Sequence, residues 1–210
     1  MTLTLDLEAA ARLEECVTAG GVAVFPSDTV YGVCCDPDNE AAAERLYALK
    51  GRPPARACAV MYFSLDAALG GLGDLHDSER RALKALLPGP VTVLLANRTS
   101  RFAAACRVDP DTLGLRVPNL RGRLEALGGV GVPVMQSSAN LSGEPDAKVL
   151  GDVPARLRDG ADLVIDGGEL GGTSSTVIDL RELDGEGRWH VLREGALPKE
   201  AVEQALDALA

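Results

Sequence analysis

The sequence predicts an α/β protein, a single domain on an open, twisted, mixed sheet with flanking helices. Short apolar runs of strand length alternate with segments whose apolar residues recur at helical spacing. Toward the C-terminus strand-like runs follow one another directly, which favours a mixed sheet over a strictly parallel one. The 210 residues contain no internal repeat, low-complexity tract or Gly/Ser linker, and suit one domain over 1–210, with a core of about 6–195 and a closing helix of about 198–209.

The first helix is expected from Asp6 to Ala19, where Ala9, Leu13, Cys16 and Val17 share a face and Gly20-Gly21 ends the run. A strand, Val22 to Phe25, stops at Pro26, and Ser27 to Pro37 reads as a polar loop. Asn39 caps a helix to Leu49. An irregular stretch rich in Pro and Arg precedes a buried strand from Ala57 to Phe63. A helix from Ser78 to Leu87 is halted by Pro88-Gly89-Pro90. Strands are then expected at Val91–Ala96, Leu113–Val117, Val132–Gln136, Leu163–Ile165, Thr176–Leu180 and Trp189–Arg193, with a helix at Asn119–Leu127 and a small-residue loop at Ser137–Pro145. Pro198 opens the last helix.

Composition excludes several functions. With 21 basic and 31 acidic residues the net charge is −10, the wrong sign for a protein that grips phosphate backbones non-specifically. Aromatic residues are 3% of the chain, too few for a base-stacking surface. Any anionic ligand needs a local basic pocket. The five cysteines lack CxxC spacing and read as reduced, buried thiols. His76 and His190 have no metal-ligand spacing around them, so a His-ligated zinc site and a Ser-His-Asp triad have little support. Neither GxxxxGK[ST] nor GxGxxG after a strand occurs. The N-terminus lacks a basic start and an apolar core, and no apolar run spans a membrane; a soluble, cytoplasmic protein is expected.

Lys50, Arg52 and Arg56 place three cations in seven residues of a proline-stiffened segment. They read equally well as an anion site and as a helix C-terminus complementing its dipole. Gln136 to Gly143 is a loop of small hydroxyls and amides directly after a strand, either a set of donors for a phosphate or an ordinary turn. Arg116 breaks an otherwise apolar strand and calls for a partner. Ser174-Ser175-Thr176 and Arg193 add hydroxyls and a further cation at strand edges. Each signal is weak alone; together they suggest one polar cavity.

In combination these segments resemble the YrdC family. Phe25-Pro26-Ser27-Asp28-Thr29-Val30-Tyr31-Gly32 is similar to its opening signature, Lys50-Gly51-Arg52 and Ser138-Ala139-Asn140 to its KxR and SxN pair. Pro88-Gly89-Pro90-Val91-Thr92, Arg116-Val117-Pro118, Ser174-Ser175-Thr176-Val177 and Leu192-Arg193-Glu194-Gly195 match further segments, in order, from about Gly20 to Gly195. The resemblance implies a large basic cavity and a nucleotidyltransferase reaction: L-threonine, bicarbonate and ATP, with Mg2+, give threonylcarbamoyl-AMP and pyrophosphate. It also implies a downstream tRNA threonylcarbamoyl transferase as partner. Double-stranded RNA binding belongs to the same resemblance, but the charge predicts weak or transient tRNA contact.

Matched residue by residue, Lys50 and Arg52 are the expected catalytic cations, with Arg56 beside them on the triphosphate. Ser138, Asn140, Thr112 and Arg193 complete the expected ATP site, while Thr29, Arg116 and Ser175 shape the threonine side. No protein metal ligand is expected. Two positions depart from the family: Ser27 replaces the commoner Thr, and Met61 stands where a His is usual. Rival readings are a carbamoyl-adenylate-forming enzyme using carbamoyl phosphate and a non-catalytic RNA-binding module on the same fold.

Overall fold

A computed structural model describes residues 1–51, 57–107 and 109–209. The chain runs β1 (Thr2–Thr4), α1 (Leu7–Thr18), β2 (Ala23–Phe25), β3 (Gly32–Cys35), α2 (Glu40–Lys50), β4 (Ala59–Met61), α3 (Leu65–Gly71) and α4 (Asp77–Leu86). It continues with β5 (Val91–Ala96), α5 (Ala103–Cys106), β6 (Thr112–Arg116), β7 (Val134–Ser138), α6 (Ala155–Gly160), β8 (Leu163–Asp166), β9 (Thr176–Asp179), the short turn α7 (Leu183–Glu186), β10 (His190–Arg193) and α8 (Lys199–Asp207).

The strands form one ten-stranded sheet in the order β1-β8-β2-β3-β7-β4-β6-β5-β9-β10. It is mixed, as expected: β1, β2, β4 and β5 each have a parallel neighbour, and the remaining pairings are antiparallel. Helix boundaries follow from local chemistry. Asp6 accepts a bond from the Ala9 amide at 2.8 Å and opens α1, and Asn39 does the same for α2 through Ala42 at 3.0 Å. Gly51, left-handed at φ 58°, closes α2.

Four expectations need correction. Thr2–Thr4, ahead of the first expected helix, pairs with β8 as an edge strand. The segment read as a loop from Ser27 to Pro37 contains β3, which is buried along its whole length between β2 and β7. A strand buried on both faces has no polar alternation to betray it. The expected helix at Asn119–Leu127 is a 3-10 helix, Gly122–Gly129, whose glycines at both ends weaken an α-helix. The short helices α3, α5 and α6 occupy segments to which the sequence assigned no element.

The two faces of the sheet are covered unequally. On one, Val24, Val33, Val60, Val93, Leu115 and Ile178 pack with Leu46 of α2, Leu83 of α4 and Val202 of α8 into the main core. Each large apolar side chain buried this way contributes about 1.5–3 kcal/mol. On the other, α1 and the 3-10 helix cover the β2–β8 end, where Leu13, Phe25, Cys34, Met61, Leu127 and Ile165 form a second cluster. Among the described residues, the rest of that face is more open. In β5, Val91, Val93 and Leu95 are buried while Thr92, Leu94 and Ala96 are partly exposed. Gly114 of β6 and Val177 and Asp179 of β9 are half-buried in the same way.

Candidate active site

The more open part of the sheet meets the covered one at Arg116. This arginine ends β6, is 4% exposed, and donates from Nη2 to Asp28 Oδ1 at 2.8 Å and to Thr29 Oγ1 at 3.2 Å. Asp28 Oδ2 accepts from the Asn119 amide at 2.9 Å, so the β2–β3 loop is tied to the chain after β6. Ser27 holds that loop from inside, its hydroxyl donating to Val30 O at 2.8 Å and lying 3.1 Å from Thr29 Oγ1. Burial outweighs attraction in this pair: it raises the Asp28 pKa despite Arg116 and the Asn119 amide, and lowers that of Arg116 despite Asp28. Among the described residues, Arg116 Nε is buried with no hydrogen-bond partner. An orphaned donor on a buried cation is costly unless a ligand accepts from it.

Beside Arg116, Thr92 and Ser175 share a hydroxyl–hydroxyl bond of 2.8 Å. Arg193 Nη2 donates to Ser175 O at 2.7 Å. Arg116, Arg193, Thr92, Ser174, Ser175, Gln136, Ser137, Ser138, Asp146 and the β4 entry Ala57-Cys58-Ala59 line a polar cavity of about 230 Å³. Small residues of the sheet form its floor: a Cβ on Gly114 would lie 3.3 Å from the Ala59 Cα.

On the cavity's other side, α2 delivers Lys50 to the loop after β7. Lys50 is 1% exposed; its ammonium donates to the carbonyls of Ser138 and of Asn140, the latter at 2.8 Å, and to Asn140 Oδ1 at 3.2 Å. Asn140 Oδ1 also accepts from Ser138 Oγ at 2.7 Å. The ammonium of Lys50 thus fixes the Ser138–Asn140 loop. Its expected partners Arg52 and Arg56 lie outside the described residues.

Of the expected site residues, Arg116, Ser138, Ser175 and Arg193 line the cavity, and Thr29, Lys50 and Asn140 touch those that do. Thr112 stands apart at the opposite end of β6 from Arg116, about 13 Å along the strand, and accepts from Arg181 Nη1 at 2.9 Å. Met61 is fully buried in the second core cluster and is not among the residues lining the cavity. Gln136 and Ser174 join the site from segments the sequence already marked as polar, Asp28 and Thr92 from inside quoted motifs without an assigned role, and Asp146 without having been singled out. Among the described residues the hollow has Arg116 and Arg193 as the cations on its wall.

Other chemistry finds little purchase. Burial pushes the Cys35 thiol up to about 12 and the Cys106 thiol to about 11, so neither is a ready nucleophile. Among the described residues no cluster of three His, Cys, Asp or Glu side chains is placed to hold a metal, and no helix is long and apolar enough to cross a membrane. A larger surface hollow of about 590 Å³ lies by α1, but its arginines are already paired, Arg12 with Glu15 at 3.0 Å and Arg45 with Asp162 at 2.6 Å. The polar cavity is therefore the better candidate despite its size.

Comparison with known proteins places the chain in a family. The profile of the Sua5/YciO/YrdC family, described as "Telomere recombination", matches residues 15–195. The chain is 35% identical over 182 residues to a threonylcarbamoyl-AMP synthase of Chromohalobacter salexigens, covering 83% of this chain and 95% of that protein. It superposes on Sua5 of Pyrococcus abyssi, solved in complex with L-threonine, with a TM-score of 0.83 and 25% identity, over 98% of this chain and 60% of the other. YciO of Escherichia coli gives a TM-score of 0.81 at 26% identity, over 96% and 98% of the two chains. The overall fold is thus shared with these proteins and the family profile covers most of the sequence, so the chain belongs to the Sua5/YciO/YrdC family.

Proposed function

We propose that this protein synthesises threonylcarbamoyl-AMP from L-threonine, bicarbonate and ATP, releasing pyrophosphate. The observation that carries the reading is Arg116, a buried cation with an orphaned Nε at the edge of a hydroxyl-lined cavity. Such a group suits the carboxylate of an amino acid. Thr29 offers a hydroxyl in contact with it and Ser175 one on the same cavity wall, fit to read the threonine hydroxyl.

The threonine amine adds to CO2 derived from bicarbonate and loses a proton. The resulting carbamate oxygen forms a bond to the α-phosphorus as the bond to pyrophosphate breaks. Little of this requires a protein base; positioning and charge neutralisation do most of the work. Lys50 contributes by fixing the Ser138–Asn140 loop at the cavity wall, beside which the phosphates would lie. Arg52, Arg56 and Arg193 supply positive charge. The site fits Mg2+ carried by the nucleotide, since that ion is commonly held by substrate phosphates with one or two carboxylates; Asp146 on the cavity wall is the carboxylate in place. When bound, the ion would neutralise charge on the leaving pyrophosphate. The product then passes to a transferase that modifies tRNA.

Mass spectrometry of the nucleotide formed from ATP and bicarbonate tests this, with threonine, serine, valine or no amino acid present. Threonylcarbamoyl-AMP is expected with threonine, little product with serine and almost none with valine, which would leave the hydroxyl-reading groups unpaired. Pyrophosphate release with carbamoyl phosphate but not with threonine would instead establish a carbamoyl-adenylate-forming enzyme.

A further inference from the structure

A base needs a flat surface to rest on, and among the described residues none that lines the cavity is aromatic. Beyond the cavity, the same face carries a further planar group. Arg181, just beyond β9, donates from Nε to Asp179 Oδ1 at 2.9 Å and from Nη2 to Asp179 Oδ2 at 2.6 Å, while Nη1 reaches Thr112 Oγ1 at 2.9 Å. Its own amide also donates to Asp179 Oδ1 at 3.1 Å. Asp179 and Thr112 stand on β9 and β6, and β5 lies between them. The side chain therefore crosses β5 near Ala96, which is paired with Thr112 and is small enough to be spanned.

Three of the guanidinium nitrogens are thereby held by bonds that lie in its plane. The fork that would grip a phosphate is already used on Asp179, and that carboxylate offsets the charge. What remains is the broad face, on a side chain 41% exposed. The position is continuous with the cavity. One row of the sheet, Gln136–Ala59–Gly114–Leu94–Asp179, crosses five strands from the cavity wall to the carboxylate that holds Arg181. Four gaps between strands make this about 19 Å, floored by small and aliphatic side chains.

We propose that Arg181 is the platform on which the adenine of ATP stacks, held flat by Asp179 and Thr112, with the phosphates running back along this row toward Ser138. Resting on the function proposed above, this inference gives Thr112 a role despite its distance from Arg116: it fixes the platform under the base. Stacking on a guanidinium adds polarisation attraction to apolar contact.

Calorimetric titration of ATP and of inorganic tripolyphosphate, into the wild type, Arg181→Ala and Arg181→Lys, tests it. Loss of a stacked base weakens ATP binding by about tenfold or more in both variants, because lysine keeps the charge and loses the plane. Tripolyphosphate, which has no base, is expected to bind all three proteins alike. Unchanged ATP affinity in Arg181→Ala, or a parallel fall for ATP and tripolyphosphate, would overturn the platform while leaving the proposed function intact. A wild type that binds neither ligand would overturn both. Matching urea midpoints for Arg181→Lys and the wild type establish that any loss is not unfolding.

Discussion

Arg116 and Asp28 form a buried ion pair, and stability and function respond differently when it is altered. Arg116→Met alone leaves the Asp28 carboxylate buried without its counter-charge, an expected loss of about 3–5 kcal/mol. Adding Asp28→Asn removes the stranded charge, so the double variant is expected to recover most of that stability in urea denaturation and still fail to bind threonine in calorimetry. The pair also sets a pH dependence. Burial raises the folded pKa of Asp28 above its ordinary value. Its contribution to stability is therefore complete below the ordinary carboxylate pKa and is lost as pH rises through the raised one. Urea midpoints measured across the acidic range are expected to show this component in the wild type and to lack it in Asp28→Asn. Arg116 was legible in the sequence because a charge interrupts an apolar strand. Asp28 was not, since an acid in a polar loop looks solvated and its partner lies 88 residues away. Arg181 was silent for a related reason: nothing in the spacing of Asp179 and Arg181 reveals that the second reaches across a strand to Thr112.

Between elements, the turn entering β9 is packed against the chain leaving β10. A Cβ on Gly195 would meet Ser174 O at 2.2 Å and the Ser175 carbonyl carbon at 2.6 Å, both backbone atoms that cannot rotate away. The Gly195 amide donates to Thr176 Oγ1 at 2.9 Å and the Ala196 amide to Ser174 O at 2.8 Å, which closes the contact. Gly195→Ala is expected to cost about 1–3 kcal/mol of stability. It should also lower activity by more than tenfold, because Ser175 and Arg193 shift together; the loss of threonine affinity would exceed anything the urea midpoint explains. Elements with a local signature were readable at this scale. The Asn39 cap and the Gly51 stop bound α2 where the sequence placed it. Elements defined by their surroundings were not: β3 is apolar on both sides because sheet flanks it, and helices of four to seven residues such as α3 and α5 are too short for a helical period to register.

At the scale of the molecule, the site's arginines sit in a body of net charge −10. Direct binding of tRNA is accordingly expected to be weak at physiological salt and to fall further as salt rises; tight, salt-insensitive binding in a filter assay would contradict this. The same contrast governs how fast the nucleotide arrives. Beyond a Debye length the anionic body repels ATP, and only near the cavity do Arg116 and Arg193 reverse the sign. Raising ionic strength from 10 to 150 mM, roughly a threefold to fourfold shortening of the screening length, should therefore speed the encounter in stopped-flow measurements while the bound complex dissociates faster. Such a charge distribution is expected to trade capture rate for discrimination at the mouth: crowded among polyanions, the protein should take in small nucleotides slowly and turn long nucleic acids away.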